Sequence, residues 1–90
     1  MEIKKLKSMP YAQAHVEIVD DNNFYLFSYT TLVCSVEDGW LTVHGLHSMT
    51  TRKHISAFMR EYCETTYQVA KDLYQDGYSL NLEDGEVVAI

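Results

Sequence analysis

Ninety residues, 47% of them hydrophobic, supply apolar material for one core and too little length for two. That content excludes intrinsic disorder, and no apolar run approaches the ~18 residues of a membrane-spanning helix. The net charge of −6 is uneven: residues 1–7 sum to +2, residues 8–50 to −5 and residues 51–90 to −3, a pattern that disfavours nucleic acid and favours basic partners.

Residues 2–7 read as a short edge strand or a loose arm, ended by Met9-Pro10 because proline has no amide proton for a ladder. From Ala12 to Val19 the pattern alternates, with Ala14, Val16 and Ile18 on one face and His15 and Glu17 on the other. Asp20-Asp21-Asn22-Asn23 is a turn of side chains that bond their own backbone. Phe24 to Val36, rich in aromatic and β-branched residues, reads as one central strand that sends Phe24, Leu26, Leu32 and Val36 inward and Tyr25, Phe27, Tyr29 and Val33 outward. Glu37-Asp38-Gly39 makes a hairpin loop, and Trp40 to Leu46 alternates as the next strand.

At Gly45 the period changes. Ile55, Phe58, Met59 and Tyr62 form one apolar stripe of a helix over about residues 51–62, with Thr50 or Thr51 as its cap. Thr66 to about Gln75 reads as a second amphipathic helix, stopped by Gly77 in the left-handed conformation. Tyr78 to Leu82 and Glu86 to Ile90 flank Glu83-Asp84-Gly85 as a hairpin. The whole predicts a single α+β domain over residues 1–90: an antiparallel sheet in the order β-β-β-α-α-β-β with two helices on one face.

Residues able to carry chemistry are few. His44, His47, His54 and Cys63 are metal-ligand types around the strand-to-helix junction. Their spacings match no standard zinc site, and the simpler reading sets His44 on a sheet face, His47 in a loop and His54 on the outer side of the helix. Cys34 and Cys63 read as buried, unreactive thiols, and no phosphate loop, paired-carboxylate motif or metalloprotease helix is present. We therefore expect a protein that is not an enzyme and uses neither metal nor cofactor. From Ser8 to Thr51 the chain holds Glu17, Asp20, Asp21, Glu37 and Asp38 but no Lys or Arg. Asp20, Asp21, Glu37 and Asp38, with Tyr25, Tyr29 and Trp40 as aromatic anchors, make the expected protein-binding surface. The alternative surface is basic, with Arg52, Lys53 and Arg60 on the first helix set to meet a nucleic-acid phosphate.

The runs His15-Val16-Glu17-Ile18-Val19-Asp20-Asp21-Asn22, Tyr25-Leu26-Phe27-Ser28-Tyr29-Thr30-Thr31-Leu32-Val33 and Thr50-Thr51-Arg52-Lys53-His54-Ile55-Ser56-Ala57-Phe58 resemble small proteins encoded by phages and prophages of Gram-positive bacteria. The resemblance implies a host-directed protein of the bacterial cytoplasm, of the class that includes anti-CRISPR inhibitors. The expected partner is then a host protein such as an RNA-guided nuclease. The rival readings are a small nucleic-acid-binding regulator and a phage structural or assembly protein whose aromatic strip is a homodimer interface.

Overall fold

In the computed structural model, which describes residues 1–90, seven strands and two helices follow in chain order. They are β1 (Glu2–Lys4), β2 (Ala14–Asp20), β3 (Asn23–Ser28), β4 (Thr31–Glu37), β5 (Trp40–Val43), α1 (Met49–Tyr62), α2 (Tyr67–Asp76), β6 (Tyr78–Asn81) and β7 (Val87–Ala89). Every strand pairs antiparallel with its neighbour in sequence, giving one sheet in the order β1-β2-β3-β4-β5-β6-β7. The expected α+β class and the pair of helices on one face are what the chain forms.

Two features of the sheet differ from expectation. The segment from Phe24 to Val36 is two strands, because Tyr29, at φ 57°, takes a left-handed conformation and reverses the chain before Thr31. A register shift between Leu26 and Phe27 then leaves Val33 as the extra residue opposite β3. In such a bulge neighbouring side chains need not alternate faces. Val33 is accordingly buried beside Cys34 while Leu32 lies exposed, the reverse of the predicted assignment.

The inner face, with Ala14, Val16, Phe24, Leu26, Cys34, Val36, Leu41 and Val43, carries the core and is roofed by the helices. α1 packs on β3, α2 packs on β5 and β6, and the two helices touch each other. Ser48, rather than Thr50 or Thr51, caps α1, its hydroxyl accepting from the Thr51 amide at 3.1 Å. Thr66 caps α2, and Gly77, at φ 75°, ends it in the left-handed conformation with its amide on the Leu73 carbonyl, as expected. Phe58 sits at the centre, fully buried, with ring centroids 5.9 Å from Phe24 and 5.6 Å from Tyr62.

The basic leader is tied down. Leu6 is completely buried, and the Glu61 carboxylate accepts from the Lys7 amide, the Ser8 amide at 3.0 Å and the Ser8 hydroxyl at 2.6 Å. The sheet's outer face carries no helix. There His15 stacks on Phe27 at 5.1 Å, Ser35 bonds His44 at 2.8 Å, and Thr42 bonds Ser79 at 2.7 Å.

Phe58→Ala should remove about 3–5 kcal/mol, a large share of what a domain this small possesses. A loss of less than about 1 kcal/mol in the free energy of denaturant unfolding would mean that the helix roof is not anchored at this ring.

Candidate functional site

Antiparallel neighbours joined in sequence place alternate turns at the same end of a sheet, so the β2–β3, β4–β5 and β6–β7 turns all fall together. Each is acidic. Asp38 and Gly39, at φ 51° and 82°, form the tight turn whose double positive φ suits the twist of a hairpin. The three turns are stitched side by side: the Gly39 amide donates to the Asn22 carbonyl at 3.0 Å, the Asp38 amide to Asn23 Oδ1 at 3.0 Å, and the Leu82 amide to the Gly39 carbonyl at 3.0 Å. Asn81 Oδ1 in turn accepts from the Glu83 and Asp84 amides.

The end of α1 closes this rim from behind. Tyr62, Cys63 and Glu64, with Phe24, Val36 and Leu82, line a hollow of about 660 Å³ whose lip carries Asp21, Asn22, Asp38, Asn81 and Glu83. Asp20, Asp21, Glu37, Asp38, Glu64, Glu83, Asp84 and Glu86 thus belong to one end of the molecule, more than half of the thirteen acidic residues in the chain. No Lys or Arg lines the hollow. The ion pairs of the structure, Lys4 with Glu2 and His15 with Glu17, lie outside the hollow. The C-terminal end of α1 adds the negative pole of its dipole.

Local bonds favour the charged form of Asp20. The side chain of Asn23 and the amide of Asn22 lower the pKa of Asp20, whose Oδ1 accepts from both. Desolvation and the neighbouring Glu37 carboxylate raise the pKa of Tyr25, whose hydroxyl donates to Glu37 at 3.3 Å. Glu64 has φ 54°, a left-handed conformation that ordinary side chains resist. Two of the three non-glycine residues with positive φ, Asp38 and Glu64, line the hollow.

Of the residues expected to bind a partner, Asp20, Asp21, Tyr25, Glu37, Asp38 and Trp40 come together at this end, Trp40 pairing opposite Glu37. Tyr29 does not. It lies in the β3–β4 turn, a strand's length away, about 17–20 Å, beside His54. Glu64, Glu83, Asp84 and Glu86 were missed, because nothing in a local pattern says that a helix end and a distant hairpin arrive beside the first two turns. The connectivity of a meander was the available signal.

The basic set divides differently. Arg52 and Lys53 line a groove between α1 and α2 together with Lys71, while Arg60 is bonded to Ser56 Oγ at 2.6 Å and does not line it. No group of three or more His, Cys, Asp or Glu side chains is arranged to hold a metal ion. His44 is on the outer sheet face, His47 is exposed beside Gly45, and Cys63 is buried at the end of α1. Burial pushes the Cys63 thiol up to about 12 and raises the Cys34 thiol as well, which disfavours the thiolate of both.

His54 is not on the outer side of the helix. It is 1% exposed, with Nδ1 2.9 Å from Ser28 Oγ, which also bonds Thr51 Oγ1 at 3.0 Å. Ser28 is the one polar residue that β3 turns toward the core, and the imidazole and the threonine satisfy it. Ser28 is 2% exposed, so the pair lies inside the core rather than at the surface.

The chain belongs to the family of unknown function DUF8033, whose model matches residues 1–76. No curated protein and no solved structure matches it. The matched span takes in the β2–β3 and β4–β5 turns, Glu64 and both helices, and leaves the β6–β7 hairpin outside. No helix is long and apolar enough to cross a membrane.

Burial lowers the pKa of His54 from its ordinary 6.5. Below about pH 6.5 the unfolded chain therefore takes up a proton that the folded chain refuses, and stability should fall as pH drops through that value. The melting temperature should decline between about pH 7.5 and 5.5 in the native chain and much less in His54→Gln, which keeps a partner for Ser28. Equal slopes in the two proteins would refute a buried neutral imidazole.

Proposed function

We propose that this is a non-enzymatic binding protein whose acidic end caps a basic surface of a host protein. The observation that carries the reading is the convergence of three acidic turns and the end of α1 around one hollow without a counter-cation. Lone carboxylates on a soluble domain are ordinary, and at physiological salt they are screened from one another beyond about 8–10 Å. Carboxylates on adjoining turns act within that distance and add to a single field, which raises association rates with a cationic surface.

The hollow also has an apolar floor, from Phe24, Val36, Tyr62 and Leu82, beneath an acidic lip. That combination suits the aliphatic stem and charged head of an arginine or lysine. Tyr25 and Trp40, half-buried on the adjoining outer face, add rigid aromatic contact area. The left-handed Glu64 fits the same reading, since backbone strain is retained where surrounding structure holds a functional side chain in place.

The resemblance to phage and prophage proteins supports a bacterial host protein as the partner. Within that class, the nucleic-acid channel of an RNA-guided nuclease is a basic surface that an acidic cap would block, which is the anti-CRISPR version of the proposal. It needs no catalysis by this chain.

Tagged protein should retain one stoichiometric host protein from nuclease-treated lysate of a Gram-positive bacterium, and the purified pair should bind directly. Reversing Asp21, Asp38 and Glu83 to Lys should weaken that binding about tenfold or more, mostly through the association rate at low salt. Unchanged affinity would reject the acidic end as the contact. Glu64→Gly should raise the melting temperature by a few degrees, by relieving the left-handed strain, while weakening the same complex. A destabilised Glu64→Gly would show that the position is not strained.

A further inference from the structure

After the leader, only four Lys or Arg residues remain in the chain, Arg52, Lys53, Arg60 and Lys71, against thirteen acidic ones overall. Three of the four line a single groove between α1 and α2, and no Asp or Glu lines it. The groove holds about 360 Å³ and is walled by Met49, Arg52, Lys53 and Ser56 from α1 and Tyr67, Lys71 and Gln75 from α2, with Leu46 at its end. These are helical neighbours at spacings of three and four, so each set stands in line on the facing side of its helix. A second hollow continues it past Leu46, Arg52 and Gln75 to His47 and Tyr74.

The cations are not neutralised within the protein. None of the three is in a salt bridge, and the nearest ordered use of any of them is Arg52 Nε donating to the Leu46 carbonyl at 3.0 Å. That bond fixes the guanidinium plane and leaves its outer N–H groups free to meet an oxyanion. The groove's mouth is bordered by the first turn of α1 and the last turn of α2, whose dipole ends oppose one another, so the positive field there comes from the three side chains. Apolar surface lies beside the charge: Met49 is 70% exposed and Tyr74 45% exposed, and Tyr67 is half-buried. Charge without a counterion next to aromatic and thioether surface without a cover is the chemistry that takes a phosphorylated ring compound.

We propose that this groove binds a nucleoside diphosphate, its two phosphates met by Arg52, Lys53 and Lys71 and its ring laid on Tyr67 at the Ser56 end. Three cations balance the roughly three negative charges of such a ligand, and the volume lies within the ordinary range for small-molecule sites. A long polyanion fits less well, because a strand leaving the groove enters the field of a chain whose net charge is −6. The site is independent of the proposed acidic contact. About ten residues of α1, roughly 15 Å, separate the middle of the groove from the hollow, beyond the screening length.

Titration of the full chain at low salt with ADP, pyrophosphate, adenosine and a single-stranded oligonucleotide, followed by amide chemical shifts, tests this. ADP and pyrophosphate should saturate with dissociation constants of about 1 mM or tighter, and ADP should bind more tightly than pyrophosphate. Adenosine alone should not saturate. Shifts should concentrate at Met49–Ser56 and Tyr67–Gln75. Lys53→Glu and Lys71→Glu, both away from the core, should each weaken ADP about tenfold, whereas Lys5→Glu in the leader, the same change of charge, should not. Lack of saturation by ADP and pyrophosphate up to about 5 mM, or equal loss in Lys5→Glu, would overturn the site. Binding of the oligonucleotide with no binding of ADP would overturn it in favour of a nucleic-acid track.

Discussion

Strictly sequential antiparallel pairing is the constraint on which the molecule's other properties rest. Each inner strand pairs with the strand before it and the strand after it, without a crossover, even though two helices are inserted between β5 and β6. With that rule in force, the end at which a turn emerges follows from counting strands. Turns after even-numbered strands share one end, and in this chain those are the turns built from Asp20-Asp21, Glu37-Asp38 and Glu83-Asp84. Helix α1, lying over β3 in the opposite direction, brings its own C-terminal end to the same place, as the contact of Phe24 with Tyr62 and of Ser28 with His54 records. Electrostatic polarity is thus a consequence of connectivity combined with turn composition.

Much of this was legible in the chain. Alternation in Ala14–Val19, the stripe Ile55, Phe58, Met59 and Tyr62, and Gly77 as a helix stop each express a preference that is settled locally, and each was found where expected. What escaped required knowledge of a neighbour. The fold-back at Tyr29 is invisible because a tyrosine with positive φ leaves no compositional mark, unlike the Asp-Gly pairs of the β4–β5 and β6–β7 hairpins. The bulge that buries Val33 and exposes Leu32 cannot be read from a segment that is apolar on both sides of it. His54 looked like a surface residue because imidazole is polar, and only the hydroxyl of Ser28 across the layer explains its burial. For the site, the two acidic turns and their aromatics were readable, whereas Glu64 and the last hairpin joined them only through the tertiary arrangement. Lys71 was hidden for the same reason: it meets Arg52 and Lys53 across two helices.

The two charged regions present different kinds of surface. At the acidic end, carboxylates stand on tight turns whose backbone is pinned by Asn22, Asn23 and Asn81, so they are presented with little freedom to withdraw. In the helix groove, cations sit on flexible stems beside apolar surface, a setting better suited to closing around a small ligand. Family membership spans the whole of the helix groove and two of the three acidic turns.

The position of the helices in the chain also orders assembly in time. Strands β1 to β5 form by successive short-range hairpins, with no closure longer than a turn or the leader loop, and such local contacts form fast. Only β6 must wait, since it can reach β5 after both helices have been made. During synthesis the exposed rim of β5 is therefore a temporary acceptor, held open for the interval in which about thirty-five further residues emerge from the ribosome, a couple of seconds or more at ordinary elongation rates. The last hairpin then acts as a latch, and a nascent chain stalled before Tyr78 would present a sticky sheet edge of the kind that chaperones recognise.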